Sequence, residues 1–185
     1  MTLFDGLFLV VTAFWLAEFF IFRNDRTGES GSHERRSFLL ILAAVVVTLV
    51  FSLFMQEWNI GIIHHRGIWW IGLVVYAIGV GLRYWGILHL KDQFTRNVSV
   101  QEGDRLVSSG PYRLLRHPLY TGLLFIIIGF CSGLGNLYAA LICGIFMTIA
   151  LLHRIKLEEA MLVEQHGDRY KKWCRSRYRL IPFVY

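Results

Sequence analysis

Two polar clusters interrupt an otherwise oily chain. Residues 110–120 read GPYRLLRHPLY and bring together Pro111, Tyr112, Arg113, Arg116, His117, Pro118 and Tyr120. Residues 153–159 read HRIKLEE, in which Arg154 and Glu158 lie four apart and share one helix face while Glu159 points about 100° away. Arginine grips carboxylates and other oxyanions through a planar fork of donors, histidine and glutamate relay protons, and tyrosine faces attract organic cations. Pro118 predicts a helix start whose free N–H groups favour an anion such as a carboxylate. Gly110 and Pro111 fix the turn before it, and Ser108 and Ser109 offer capping hydroxyls. Taken alone, Pro118 needs no ligand and RxxxEE reads as a solvated ion pair. Their position relative to a membrane is what joins them.

The chain has 185 residues, of which 55% are hydrophobic and only 17% charged, with a mean hydropathy of +0.49. This is the composition of an integral membrane protein. The net charge is +6, but the cations fall in the gaps between apolar runs and form no patch interleaved with aromatics, which argues against a nucleic-acid partner. Cys131, Cys143 and Cys174 make no CxxC pair, so neither a disulfide framework nor a metal site is expected.

The elements that must position the two clusters are five transmembrane helices in a single membrane domain, 1–185: scaffold helices at 3–22, 38–55 and 68–90, then a catalytic region, 91–185, with helices at 118–133 and 137–152. The first run carries Asp5 and has neither a basic leader nor a small-residue cleavage pattern, so it stays as a helix. Glu18 near its end is expected to snorkel or to pair with an arginine of the following loop, 23–37. Arg83, inside the third helix, either snorkels or lines a site. Gly72, Gly79, Gly81 and Gly86 let neighbours approach that helix closely, and Trp58, Trp69 and Trp70 suit an interfacial belt. The connection CSGLGN is so short that the last two spans form an antiparallel hairpin, which returns HRIKLEE to the membrane face that carries GPYRLLRHPLY. Gly167 is a natural C-cap, and Tyr170 with Trp173 makes an aromatic face beyond it. Lys and Arg number four after the first span, five after the third and eight in the tail, against one after the second and none at the hairpin tip. The polar clusters therefore lie in the cytoplasm and the amino terminus outside.

The order LVSSGPYRLLRHPLYTG, a short apolar hairpin, RIKLEEAMLVEQHGDRYKKW and a closing RLIPF resembles the isoprenylcysteine carboxyl methyltransferase family, and more distantly the phospholipid N-methyltransferases. The resemblance covers residues 83–185 closely, and RHPxY followed at this distance by EE is the specific combination. It implies an all-α membrane methyltransferase that uses S-adenosylmethionine without a Rossmann fold and holds it in a cytoplasmic pocket. In that reading Gln101, Asp104, Leu106, Val107 and Tyr112 line the cofactor pocket ahead of the hairpin. His117, Pro118 and Tyr120 wrap the cofactor, Glu158 contacts it from the exit helix, and Arg154 holds the reacting group of the substrate. Apart from the resemblance, Arg83, where its depth in the third helix makes it line the site, would be a second substrate contact. Asp104 departs from the pattern, since many relatives carry histidine there. The short chain suits a prokaryotic cell membrane.

A sulfonium methyl donor arrives activated, so the protein has mainly to align a nucleophile and exclude water. An ionised oxygen needs no base, and Arg154 suits it. A lipid amine would need His117 or Glu159 to take its proton. The expected acceptor is accordingly a lipophilic or prenylated molecule entering from the bilayer and methylated on oxygen. A phospholipid amine and an alkylated pyrone or phenol remain as alternatives. A haem or quinone module is the non-enzymatic rival, prompted by seven histidines, but His64, His65, His89, His117, His153 and His166 are expected at or beyond helix ends, where they would not face one another inside a bundle. A small transporter would account for the helices and leave RHPLY opposite RxxxEE without a purpose.

Overall fold

A computed structural model describes residues 2–22, 32–94 and 105–182. The elements are α1 (Leu3–Ile21), α2 (Ser32–Glu57), α3 (Arg66–Leu90), α4 (Pro118–Gly133), α5 (Leu137–His166) and α6 (Asp168–Cys174), with single 3-10 turns at Lys91–Gln93 and Gly110–Arg113. The described residues contain no strand, only two isolated bridges. Four helices, α1, α2, α3 and α5, are long and apolar enough to cross a membrane, and α4 is a shorter apolar helix. The all-helical membrane architecture is thus as expected.

Two boundaries differ from the hydropathy reading, for one reason: polar residues end an apolar run without ending a helix. The helical backbone of α2 starts at Ser32, inside the stretch read as a loop. The expected exit helix is the continuation of α5, one rod of 30 residues. At 1.5 Å per residue it extends about 15 Å beyond a hydrocarbon core of roughly 30 Å. His153 consequently lies in the middle of a helix and not at an end. The helix stops at Gly167, whose φ of +54° suits a residue without a side chain, and whose N–H is donated to the Val163 carbonyl.

Sequence chemistry accounts for the ends that matter. Asp5 closes a capping box on α1: its carboxylate accepts from the Thr2 N–H at 2.7 Å while Thr2 Oγ1 accepts from the Asp5 N–H. Asn136 caps α5 by accepting from the Ala139 N–H at 2.8 Å, and its amide donates to the Ile60 carbonyl at 2.8 Å, tying the hairpin tip to the turn after α2.

Around the hairpin, α3 packs on α4, α2 packs on α5, and α1 leans on α3. The α3–α4 seam is made of missing side chains. A Cβ on Gly72 would sit 2.2 Å from the Gly133 nitrogen, and one on Gly129 would sit 2.3 Å from the Tyr76 nitrogen. Gly79 and Gly86 likewise face Ile126 and Leu119, but Gly81 meets nothing within 4 Å and is no part of the seam. Polar side chains of α3 hold α1: the Tyr76 hydroxyl donates to Thr12 Oγ1 at 3.3 Å and the Tyr84 hydroxyl to the Phe14 carbonyl at 2.7 Å. Glu18 is buried and pairs with Arg83 of α3. It does not snorkel, and the arginines of the 23–37 loop lie outside the described side chains.

Candidate functional site

The loop before α4 is sewn to the chain's tail. The Arg116 N–H donates to the Tyr178 carbonyl at 2.7 Å and the Tyr178 N–H to the Leu114 carbonyl at 2.9 Å. The Arg177 guanidinium donates to the Tyr112 carbonyl at 2.6 Å and lies 4.4 Å from the centre of the Trp173 ring, which is itself stacked on Tyr170. The Trp173 indole donates to Ser108 Oγ at 2.9 Å. The expected capping by these serines does not occur, because Ser109 makes no side-chain cap bond and Ser108 is engaged with the tail. This tail, a strap running on from α6, fixes the 105–117 segment in place.

Within that frame the two polar clusters meet. The Tyr120 hydroxyl donates to Glu158 Oε2 at 2.6 Å and accepts from Arg154 Nε at 2.7 Å. The expected Arg154–Glu158 pair is thus joined through a phenol. His117 stacks on Tyr120 with ring centres 5.6 Å apart, its Nδ1 3.7 Å from Glu158 and its Nε2 3.4 Å from Glu159. Burial disfavours a charged imidazole at His117, but the carboxylates of Glu158 and Glu159 outweigh it and hold the pKa above the usual 6.5. Glu159 turns away from Glu158 and also accepts from Arg116 at 3.3 Å and Arg179 at 2.8 Å, so it packs on the loop and tail and not toward solvent. Adjacent carboxylates have separate tasks: Glu159 anchors the strap, while Glu158, with 26% of its side chain exposed, opens on the cavity.

That cavity has a volume of about 260 Å³. Its polar end is formed by Tyr112, Arg116, His117, Tyr120, Arg154 and Glu158, and its apolar end by Trp15 and Phe19 of α1 with Phe38, Ile41, Leu42 and Val45 of α2. Arg154 is only 4% exposed, so its charge is spent inside the protein. Leu106, Val107 and Arg83 also line the wall. Pro118 does not: it is buried, with its ring toward Gly86 of α3. Nor does the start of α4 present a row of free donors, because the His117 carbonyl accepts from both the Tyr120 and Thr121 N–H groups. The row of unpaired donors expected there is therefore not formed. Gln101 and Asp104 lie outside the described residues.

Sequence reasoning passed over several contributors. Gln93 clasps the backbone of Arg105 from both sides, donating to its carbonyl at 2.8 Å and accepting its N–H at 3.2 Å. Leu162, His166, Tyr170 and Trp173 complete the wall on the tail side. The aromatic residues 170 and 173 were legible as a face, but the wall contributed by α1 and α2 carries no polar signal that could have distinguished it from lipid-facing helix.

A sequence model of the isoprenylcysteine carboxyl methyltransferase family matches residues 70–164. Protein-S-isoprenylcysteine O-methyltransferase A of Arabidopsis thaliana is 30% identical over 166 residues, covering 85% of this chain and 83% of that protein. Methanethiol S-methyltransferase of Crocosphaera subtropica is 37% identical over 73 residues, or 40% of this chain and 28% of that protein. The solved structure of the eukaryotic intramembrane Ras methyltransferase superposes with a TM-score of 0.65 at 24% identity, over 95% of this chain and 63% of that one, a likeness of fold.

Proposed function

Since the chain belongs to the isoprenylcysteine carboxyl methyltransferase family and is a multi-pass membrane methyltransferase, we propose that it uses S-adenosylmethionine to methylate a carboxylate on a prenylcysteine-like lipid. The observation that carries this reading is the buried Arg154 guanidinium in the wall of a largely apolar cavity, held by the Tyr120 hydroxyl. A carboxylate held by Arg154 would leave its apolar chain to run between Trp15 and Phe19 on one side and Phe38, Ile41, Leu42 and Val45 on the other.

The donor set suits the cofactor. Glu158 supplies an anion beside the rings of Tyr112 and Tyr120, a combination that favours an organic cation, and Leu106, Val107 and His117 close the pocket around it. Gln101 and Asp104 would join from the segment just ahead, and Pro118 would act by starting α4. When bound, S-adenosylmethionine supplies a methyl group already activated by its sulfonium, so an ionised oxygen acceptor needs no base. His117 supports this reading, because the carboxylates of Glu158 and Glu159 beside it favour its charged form, a poor acceptor for a proton from an amine. Arg154 orients the acceptor oxygen, Tyr120 fixes Arg154, and the apolar wall keeps water out. The cation distribution favours a site on the cytoplasmic side with the amino terminus outside.

The test is transfer of label from radiolabelled S-adenosylmethionine to N-acetylcysteine carrying S-linked prenyl chains, followed by mild base. A volatile, base-labile label marks a methyl ester. No label on these acceptors, with a base-stable product formed instead from a total lipid extract, would mark an ether, an amine or, as in the name of the Crocosphaera relative, a thioether, and would overturn the carboxylate assignment.

A further inference from the structure

Among the described residues, the Glu18–Arg83 pair is the charged cluster inside the spans that the chemistry above does not use. Glu18 is 1% exposed, and both of its carboxylate oxygens meet the Arg83 guanidinium, with Nε at 2.8 Å and Nη2 closer. The remaining arm, Nη1, donates to the Leu119 carbonyl at 3.1 Å, one residue before Tyr120. Arg83 therefore joins three elements: α1 through Glu18, its own helix α3, and the first turn of α4. On α1, Trp15 lies one turn before Glu18 and Phe19 directly after it; Trp15 and Phe19, four apart, share a face and line the apolar end of the cavity.

We infer that Arg83 and Glu18 form one positioning pair that docks the Trp15–Phe19 wall against the turn carrying Tyr120, and so sets how well the apolar chain of the acceptor is held. Two features separate this role from that of a direct substrate ligand. The guanidinium is already matched by a carboxylate in bidentate fashion, so it offers little net charge to an acceptor carboxylate. The contact with the Leu119 carbonyl also makes Arg83 a strut between α1 and α4. A lysine, with one point charge on a flexible stem, would not span both partners.

This inference rests on the acceptor reading above and is tested with the same S-prenyl N-acetylcysteines, carrying two or three isoprene units, on Glu18→Gln, Arg83→Gln and the double variant in detergent. Each single variant is expected to raise KM for the longer acceptor about tenfold, and for the shorter one much less, with kcat changed less than KM. The double variant should be no worse than either single one, because the pair acts as a unit. Arg83→Lys should restore little. S-adenosylmethionine affinity of Glu18→Gln, close to wild type, reports that the polar end is intact. A lowered KM in Glu18→Gln, as expected if a released guanidinium grips the acceptor, would overturn the inference and leave the function standing. So would additive losses, or equal losses for both chain lengths. Failure of the wild-type protein to methylate any of these acceptors would instead overturn the acceptor reading, and this inference with it.

Discussion

Where α3 meets α4 the two helices touch through absent side chains, whereas where the 105–117 loop meets α5 and the tail the contact is made by saturated ones. In the seam, Gly72 and Gly129 let backbone lie on backbone. At the polar end, Arg116, His117 and Arg179 converge on Glu159, and each donor finds an acceptor. The seam cannot rotate without collision, so it sets the distance between α4 and its neighbours. The clamp is built from bonds that tolerate small shifts, and it sets the orientation of His117 and Tyr120. At the α3–α4 seam distance is held by steric contact, and at the boundary orientation is held by charge, where donors are plentiful.

The contrast breaks most severely at the seam. Gly129→Ala places a methyl against the Tyr76 backbone, which cannot yield as a flexible side chain could. A loss of about 3 kcal/mol is expected, seen as a lowered Tm in detergent and little recoverable protein. If Gly129→Ala instead left stability unchanged and lowered only turnover, the seam would be part of the chemistry and the division would fail. Next in size is Arg154→Ala, expected to lower turnover about 10²-fold while sparing cofactor affinity, measured with labelled S-adenosylmethionine. Glu158→Gln should do the converse, weakening cofactor affinity about tenfold, worth about 1.4 kcal/mol. Equal cofactor affinity in the two variants would show that the two groups do not divide the cavity between acceptor and cofactor.

The seam was easier to read from sequence than the clamp. Glycines spaced along an apolar helix announce close approach, and three of the four did so, with Gly81 the exception because periodicity puts it on the outer side of α3. The meeting of RHPLY with RIKLEE was legible too, since a hairpin with so short a tip leaves its ends no other place to go. The hydroxyl of Tyr120 between Arg154 and Glu158 was not, because helical spacing gives the angle of a side chain but not what enters between two of them. The bridge from Leu115 to Tyr178 joins segments whose sequences carry no pairing pattern. The start of α2 and the continuity of α5 were missed where hydropathy ended before the helix did, and the cavity wall on α1 and α2 was missed because its residues differ in no way from those that face lipid.

The clamp has a pH signature that the seam lacks. The folded protein holds His117 above its usual pKa of 6.5, so the pair contributes fully to stability below that value and the contribution is lost as pH rises through the folded-state value. Stability in detergent is expected to decline over this window, and His117→Gln should flatten the decline. Glu159→Gln should shrink it and cost about 1 kcal/mol, since neutral Gln still accepts a hydrogen bond from one arginine. A stability profile in His117→Gln identical to the wild type would mean that the carboxylates do not hold an imidazolium.

Gly81→Ala sharpens the comparison by the smallest effect. This glycine lies in the same helix as Gly72 and Gly79, yet a Cβ there meets nothing within 4 Å. If the α3 glycines are kept for the space they leave, Gly81 gains nothing from having no side chain and pays only the usual helix penalty. Alanine should then stabilise the protein by up to about 1 kcal/mol, the difference in helix propensity, with turnover unchanged. The two substitutions, Gly81→Ala and Gly129→Ala, are chemically identical and differ only in what stands opposite. Opposite signs in Tm would assign the seam's stability to contact between backbones, whereas a loss at Gly81 comparable to that at Gly129 would mean that glycine serves these helices by flexibility and that the distance between them is not fixed by steric contact.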